Sequence, residues 1–158
     1  METQEAKIIS IDTNQNKNEE AELQPQLTAD GQEILPYITL LIEPVAKPRM
    51  TQKDKWHKRS ATDRYWEYKE NLKLLCFICR WMPQDELDDI TFVIPMPVSW
   101  SEKKKNKYDK TPHQSRPDLD NLVKGFKDAL MIEDSNVHSY NNIRKVWGRV
   151  GQIILKRY

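Results

Sequence analysis

The chain has 158 residues, enough for one domain with a real core. Charged residues make up 31% of it, yet the formal net charge is only +1, so the total hides any local pattern. The longest unbroken apolar run, Leu74 to Cys79, is six residues, far too short to span a membrane.

Residues 1–34 hold eight acids and two lysines, a net of −6, with no apolar periodicity. That composition predicts a mostly disordered acidic tail, either screening a basic surface or serving as an inert extension or docking segment. No secretory signal is read in a start that includes Glu2 and Glu5, and a cytoplasmic protein is expected. Residues 35–158 are read as one domain. Within it, residues 46–116 carry sixteen Lys or Arg against ten acids, a net of +6. This asymmetry points to a nucleic-acid partner.

Tyr37 to Val45 predicts a first strand. Lys47 to Arg59 follows with six basic residues, Lys47, Arg49, Lys53, Lys55, Lys58 and Arg59, against one acid. These suit phosphate contacts, with Trp56 either stacking on an exposed base or folded into the core. Asp63 to Trp81 predicts a long helix ended by Met82-Pro83, with Tyr65, Tyr68, Leu72, Leu75, Cys76 and Cys79 at helical spacing. These side chains suit a core or a dimer contact. Cys76 and Cys79 read as buried thiols ahead of a redox pair, and no second Cys or His pair supports zinc. Asp85, Glu86, Asp88 and Asp89 read as a solvated acidic turn.

Ile90 to Val98 predicts a second strand whose prolines argue for an edge or a strand end. Trp100 to Arg116 reads as a basic loop carrying Lys103, Lys104, Lys105, Lys107, Lys110 and Arg116. His113 there, like His57 and His138, reads as a solvent-exposed histidine. Tyr140–Trp147 and Val150–Tyr158 predict a closing hairpin about Gly148 and Gly151. The order strand, helix, strand, helix, strand, strand gives an α+β domain with a mixed sheet flanked by two main helices.

The stretch Arg116–Val137, RPDLDNLVKGFKDALMIEDSNV, carries the chemistry. Pro117 restricts Arg116, so a helix can begin just after it with Asp118 or Asp120 as N-cap. Leu122, Val123, Phe126, Ala129 and Leu130 form one apolar face, and Lys124, Lys127 and Asp128 fall on others. Lys124 lies one turn after Asp120. Gly125 inside this helix costs about 1 kcal/mol against Ala, a cost that a close backbone approach could explain. Asp118 and Asp120, with Glu133 and Asp134 beyond the helix, suit a hard divalent ion such as Mg²⁺. Lys124 could stabilise charge on a phosphate in the transition state. An EF-hand is excluded, because positions six and twelve counted from Asp118 are Val123 and Ala129. Helix capping alone is the rival account of Asp118 and Asp120.

The stretch resembles the RusA family of Holliday junction resolvases. That family's pattern is roughly Arg-x-Asp-Leu-Asp-Asn-Leu-x-Lys, a helix ending Asp-Ala-Leu, then Asp-Asp-x-Gln-Val. Asp118, Asp120, Asn121, Leu122, Lys124, Asp128, Ala129, Leu130, Asp134 and Val137 match by position. Glu133 stands for the first Asp of the later pair, Asn136 for the Gln, and the link before that pair is short. Lys47-Pro48-Arg49 also resembles the family's early loop, so the likeness extends over residues 37–158. The resemblance implies metal ligation by Asp118, Asp120 and Asp134, with Mg²⁺ or Mn²⁺ as its substitute and no organic cofactor. It implies Lys124 as the active-site lysine, a four-way DNA junction as substrate, and a homodimer in a bacterial or phage-infected cell. The rivals are a non-catalytic junction-binding protein, for which the basic segments alone would suffice, and a nuclease of this fold acting on other branched nucleic acids.

Overall fold

The computed structural model describes residues 26–27, 33–34, 37–49, 60–81, 86–87, 89–130 and 133–156. Most of the expected tail, Lys53, Lys55, Trp56, His57, Lys58, Arg59, Asp85 and Asp88 lie outside the described residues. Within the tail stretch, β1 (Gln26–Leu27) pairs antiparallel with β2 (Glu33–Ile34).

The domain is α+β, with a mixed four-stranded sheet in the order β3 (Tyr37–Leu40), β8 (Gln152–Lys156), β5 (Asp89–Pro95), β7 (Ile143–Gly148). β8 runs antiparallel to both β3 and β5, whereas β7 runs parallel to β5. Alternation sorts the faces: Ile38, Leu40, Ile90, Phe92, Ile94, Ile153 and Leu155 are all buried on the side that meets the helices. The long helix α1 (Ser60–Ile78) lays Tyr65, Tyr68, Leu72 and Cys76 on that face, and α3 (Leu119–Ala129) adds Leu122, Phe126 and Ala129. Both main helices therefore cover one side of the sheet. On the other side Thr91, Val93, Val146, Gln152 and Ile154 border an open cavity of about 560 Å³. No helix among the described residues is long and apolar enough to cross a membrane.

Several local expectations are corrected. The last two strands form no hairpin, because β5 lies between β7 and β8. β5 buries Ile90, Phe92 and Ile94 on one face and Val93 on the other, so it belongs inside the sheet with a ladder on each side. It is thus no edge strand, and Pro95 merely stands at its end. Glu86–Leu87 is not a solvated turn; as β4 it pairs parallel with β6 (Ser139–Tyr140) and prolongs the β5–β7 contact. The helix α1 stops before Met82-Pro83. Arg80 takes a left-handed φ of 52°, Trp81 N donates to Cys76 O at 2.9 Å, and Arg80 N donates to Phe77 O at 3.1 Å. This is a Schellman end, and it tucks Trp81 into the core at 3% exposure. Burial pushes the Cys76 thiol up to about 12, as befits a core group; Cys79 is raised for the same reason.

The first strand ends at Leu40, short of Val45, because the chain there turns across α3 instead. Lys47 N donates to Asn121 O at 2.9 Å. A Cβ on Gly125 would meet Val45 O at 2.6 Å, which is the close approach that the glycine in mid-helix requires.

Candidate functional site

Asp118 is the N-cap of α3, with extended backbone (φ −71°, ψ 143°), and its side chain makes no capping hydrogen bond. The capping account therefore leaves its exposed carboxylate without that use. Asp120 sits in the first turn, and Lys124 Nζ lies 3.5 Å from its Oδ2. Both side chains are exposed, 65% for Asp120 and 55% for Lys124, so their ion pair is weak and open to exchange for another ligand. The first turn of a helix also offers the positive end of its dipole to anions.

The segment leading into Asp118 is stitched along the outer edge of β7. Lys110 N donates to Trp147 O, Trp147 N to Thr111 O, both at 2.9 Å, and His113 N to Lys145 O at 3.1 Å. Lys145 Nζ then reaches back and donates to Ser115 O at 2.6 Å and Pro117 O at 2.5 Å, either side of the cis Arg116–Pro117 peptide. Its ammonium thus fixes the carbonyl immediately before Asp118. The pattern-based reading missed Lys145, which stands beside a second cation, Arg144, in β7 and carries no local signal that separates the two.

His113 is not a solvent-exposed histidine. It is 3% exposed, with its ring centroid 4.0 Å from that of Trp147 and Nε2 3.3 Å from Ser115 Oγ. Burial, then the charge of Lys145, holds it below the usual imidazole range and so neutral. His138 is exposed, as expected.

Asp134 opens a one-turn 3-10 helix, Asp134–Asn136, with Glu133 as its exposed N-cap. The side chain of Asp134 lies outside the described residues. Of the three expected metal ligands, Asp118 and Asp120 stand two residues apart at the start of α3, and among the described residues no three His, Cys, Asp or Glu side chains form a metal-holding group. Two carboxylates with no cap to serve are hard oxygen donors of the kind Mg²⁺ takes.

The basic segment before the motif is not a plain loop. Ser101 Oγ accepts from Lys104 N at 3.4 Å and caps α2 (Glu102–Tyr108). This helix buries no residue, so it has no apolar period to announce it; Ser101 followed by Glu102 was its only signal. Arg149 anchors it, donating to Glu102 Oε2 at 2.8 Å and to Asn106 Oδ1. Arg149 and Lys105 together hold the Glu102 carboxyl below the usual carboxylate range.

The expected DNA-contacting cations divide accordingly. Lys103, Lys107 and Arg116 are exposed, and Lys104 lies over the Trp100 ring at 3.9 Å. Lys105 is paired to Glu102 at 3.4 Å and only 19% exposed. Lys47 pairs with Asp128 at 2.5 Å, while Arg49 is exposed. Lys127 is not on an outer face of α3; it is 6% exposed with Nζ 5.8 Å from the Tyr140 ring.

The family model described as endodeoxyribonuclease RusA matches residues 42–155. The chain belongs to the RusA endodeoxyribonuclease family. That match contains α3 with Asp118, Asp120 and Lys124, the Lys145 clamp, α2, all of β5 and β7, and β8 up to Leu155. No curated protein matches the chain. A RusA endodeoxyribonuclease has DNA as its partner, and the cations of α2 and Arg116 precede the acidic helix in the same segment.

Proposed function

We propose that this chain is a Mg²⁺-dependent endodeoxyribonuclease that resolves four-way DNA junctions by paired nicks, in recombination and repair. The observation that carries the reading is the RusA match over a helix whose N-cap carboxylate caps nothing and stands in the same first turn as Asp120. Asp118, Asp120 and Asp134 are the groups that would hold the metal, and Mn²⁺ would serve in its place. Bound Mg²⁺ supplies an activated water and neutralises charge on the phosphate. Lys124 offers its ammonium to the phosphate that is cut, and Lys103, Lys104, Lys107 and Arg116 hold the flanking backbone. A junction has near two-fold symmetry and one chain carries one such site, so a homodimer matches paired nicks. No organic cofactor enters this chemistry.

The deciding test is cleavage of a synthetic four-way junction with Mg²⁺, beside duplex and flap controls. Cutting confined to the junction and abolished by chelator is expected. Tight binding without cutting would leave a junction-holding protein, and equal cutting of the flap would leave a broader branched-DNA nuclease.

Two substitutions separate chemistry from scaffold. Lys124→Ala should lower the single-turnover rate about a hundredfold with junction affinity nearly unchanged. Lys127→Ala should act instead on stability, lowering the melting temperature while the rate per folded molecule holds, because Lys127 is buried. Equal rate losses for the two would remove Lys124 from the catalytic set.

Salt titration tests the lysines of α2. Lys103→Gln, Lys104→Gln and Lys107→Gln each remove one cation from the DNA backbone, and each should reduce the slope of log affinity against log salt by about 0.9. Lys105→Gln should leave that slope alone, since Lys105 faces Glu102. Identical slopes for all four variants would show that α2 does not touch DNA.

A further inference from the structure

Asn121, Gly125 and Asp128 fall at i, i+4 and i+7, one stripe of α3. Each of them meets the link between β3 and α1. Asn121 O accepts from Lys47 N at 2.9 Å, and Gly125 lets Val45 O approach to where a Cβ would be only 2.6 Å away. Asp128 Oδ2 lies 2.5 Å from Lys47 Nζ and also accepts from Tyr65 OH at 3.1 Å. Tyr65 is 1% exposed in α1, so the carboxylate is aimed by a core residue and not by solvent. Burial and the Asp128 charge raise the Tyr65 hydroxyl above its ordinary value and keep it a donor. The neighbouring stripe, one residue back and about 100° around, holds Asp120 and Lys124.

We propose that Asp128 is a positioning residue that docks the Lys47-Pro48-Arg49 link onto the acidic helix, with Lys47 as its internal partner. This rests on the nuclease reading above. An exposed ion pair alone would hold little. Here it closes an attachment that already has a backbone hydrogen bond and a glycine-sized gap, so it selects one placement of a link the other two contacts have brought close. The charge of Lys47 is then used within the molecule, which separates it from Lys103, Lys104 and Lys107.

The test compares Asp128→Asn, Lys47→Met, their combination, and the exchange Asp128→Lys with Lys47→Asp. Cleavage at saturating protein, junction affinity across salt, and melting temperature are measured on the full chain. Each single variant should slow cleavage about tenfold, the combination should be no slower than either, and the exchange should recover most of the rate. The salt slope of Lys47→Met should equal that of the wild type. Gly125→Ala keeps both charges and displaces the link, and should slow cleavage as well. A Lys47→Met slope lower by about 0.9, with no rate effect of Asp128→Asn, would make Lys47 a phosphate contact and overturn the proposal. Additive losses would overturn it too. A wild-type chain that binds junctions but never cuts them would sink the nuclease reading alone. The same non-additive pattern in affinity would then sustain the docking role, and an additive one would end it.

Discussion

Asp118→Asn and Asp120→Asn should each lower the single-turnover cleavage rate about a thousandfold and leave junction affinity intact or slightly improved. A metal ion contributes several kcal/mol to charge stabilisation at a phosphate, and each 1.36 kcal/mol is a factor of ten. The amide keeps the shape of the carboxylate and removes the charge that holds the cation. Asp118 is the cleaner probe, because its side chain makes no capping bond whose loss would also weaken the helix. Among the described residues, Asp120 gives up its 3.5 Å contact with Lys124. Affinity holds because the cations on α2 remain and one anion near the DNA is gone. Asp134→Asn belongs to the same set. Glu70→Gln is the control, since Glu70 is exposed on α1 and pairs with Lys73 at 3.4 Å. A rate loss for Glu70→Gln comparable to that of Asp118→Asn, or cleavage unaffected by Asp118→Asn, would overturn the assignment.

Phe126→Ala should cost about 3–5 kcal/mol of folding stability, out of roughly 5–15 for a domain of this kind. Phe126 is fully buried on α3. Its ring centroid lies 6.0 Å from that of Trp81, which follows α1, and 6.2 Å from that of Phe92 in β5, edge to face. One side chain therefore joins the acidic helix to both the helical layer and the sheet. Removing it opens a cavity between rigid layers that cannot collapse onto one another. Equilibrium denaturation measures the loss. A value below about 1 kcal/mol would mean that α3 is held chiefly by its termini.

The acidic helix was legible because its apolar residues repeat at the helical period and Pro117 marks its start. Gly125 stood out within it as an anomaly, but the cause is Val45, far off in the chain, and no local pattern names so distant a partner. The misread hairpin has the same origin. Two strands adjacent in sequence with glycines between them argue for pairing, whereas β5 carries apolar residues on both faces, Ile90, Phe92 and Ile94 on one and Val93 on the other, as a strand with a neighbour on each side does. α2 escaped notice because a helix with no buried residue has no period to detect. Lys145 and Asp128 act through partners in other elements, so their roles follow from tertiary placement and from nothing in their own neighbourhoods.

The parallel pairing of β5 with β7 sets the order in which this molecule can assemble. The crossover between them, residues 96–142, contains Asp118, Asp120, Lys124 and Asp134, and Lys145, which grips the carbonyls before Asp118, comes only after it, in β7. Contacts between strands so far apart in sequence form late, once loop closure has been overcome. During synthesis, at about 5–20 residues per second, the carboxylates leave the ribosome before the strand that arranges them. A nascent or partly folded chain thus carries the carboxylates proposed to hold the metal without their geometry, and on that proposal cleavage awaits the docking of the C-terminal strands.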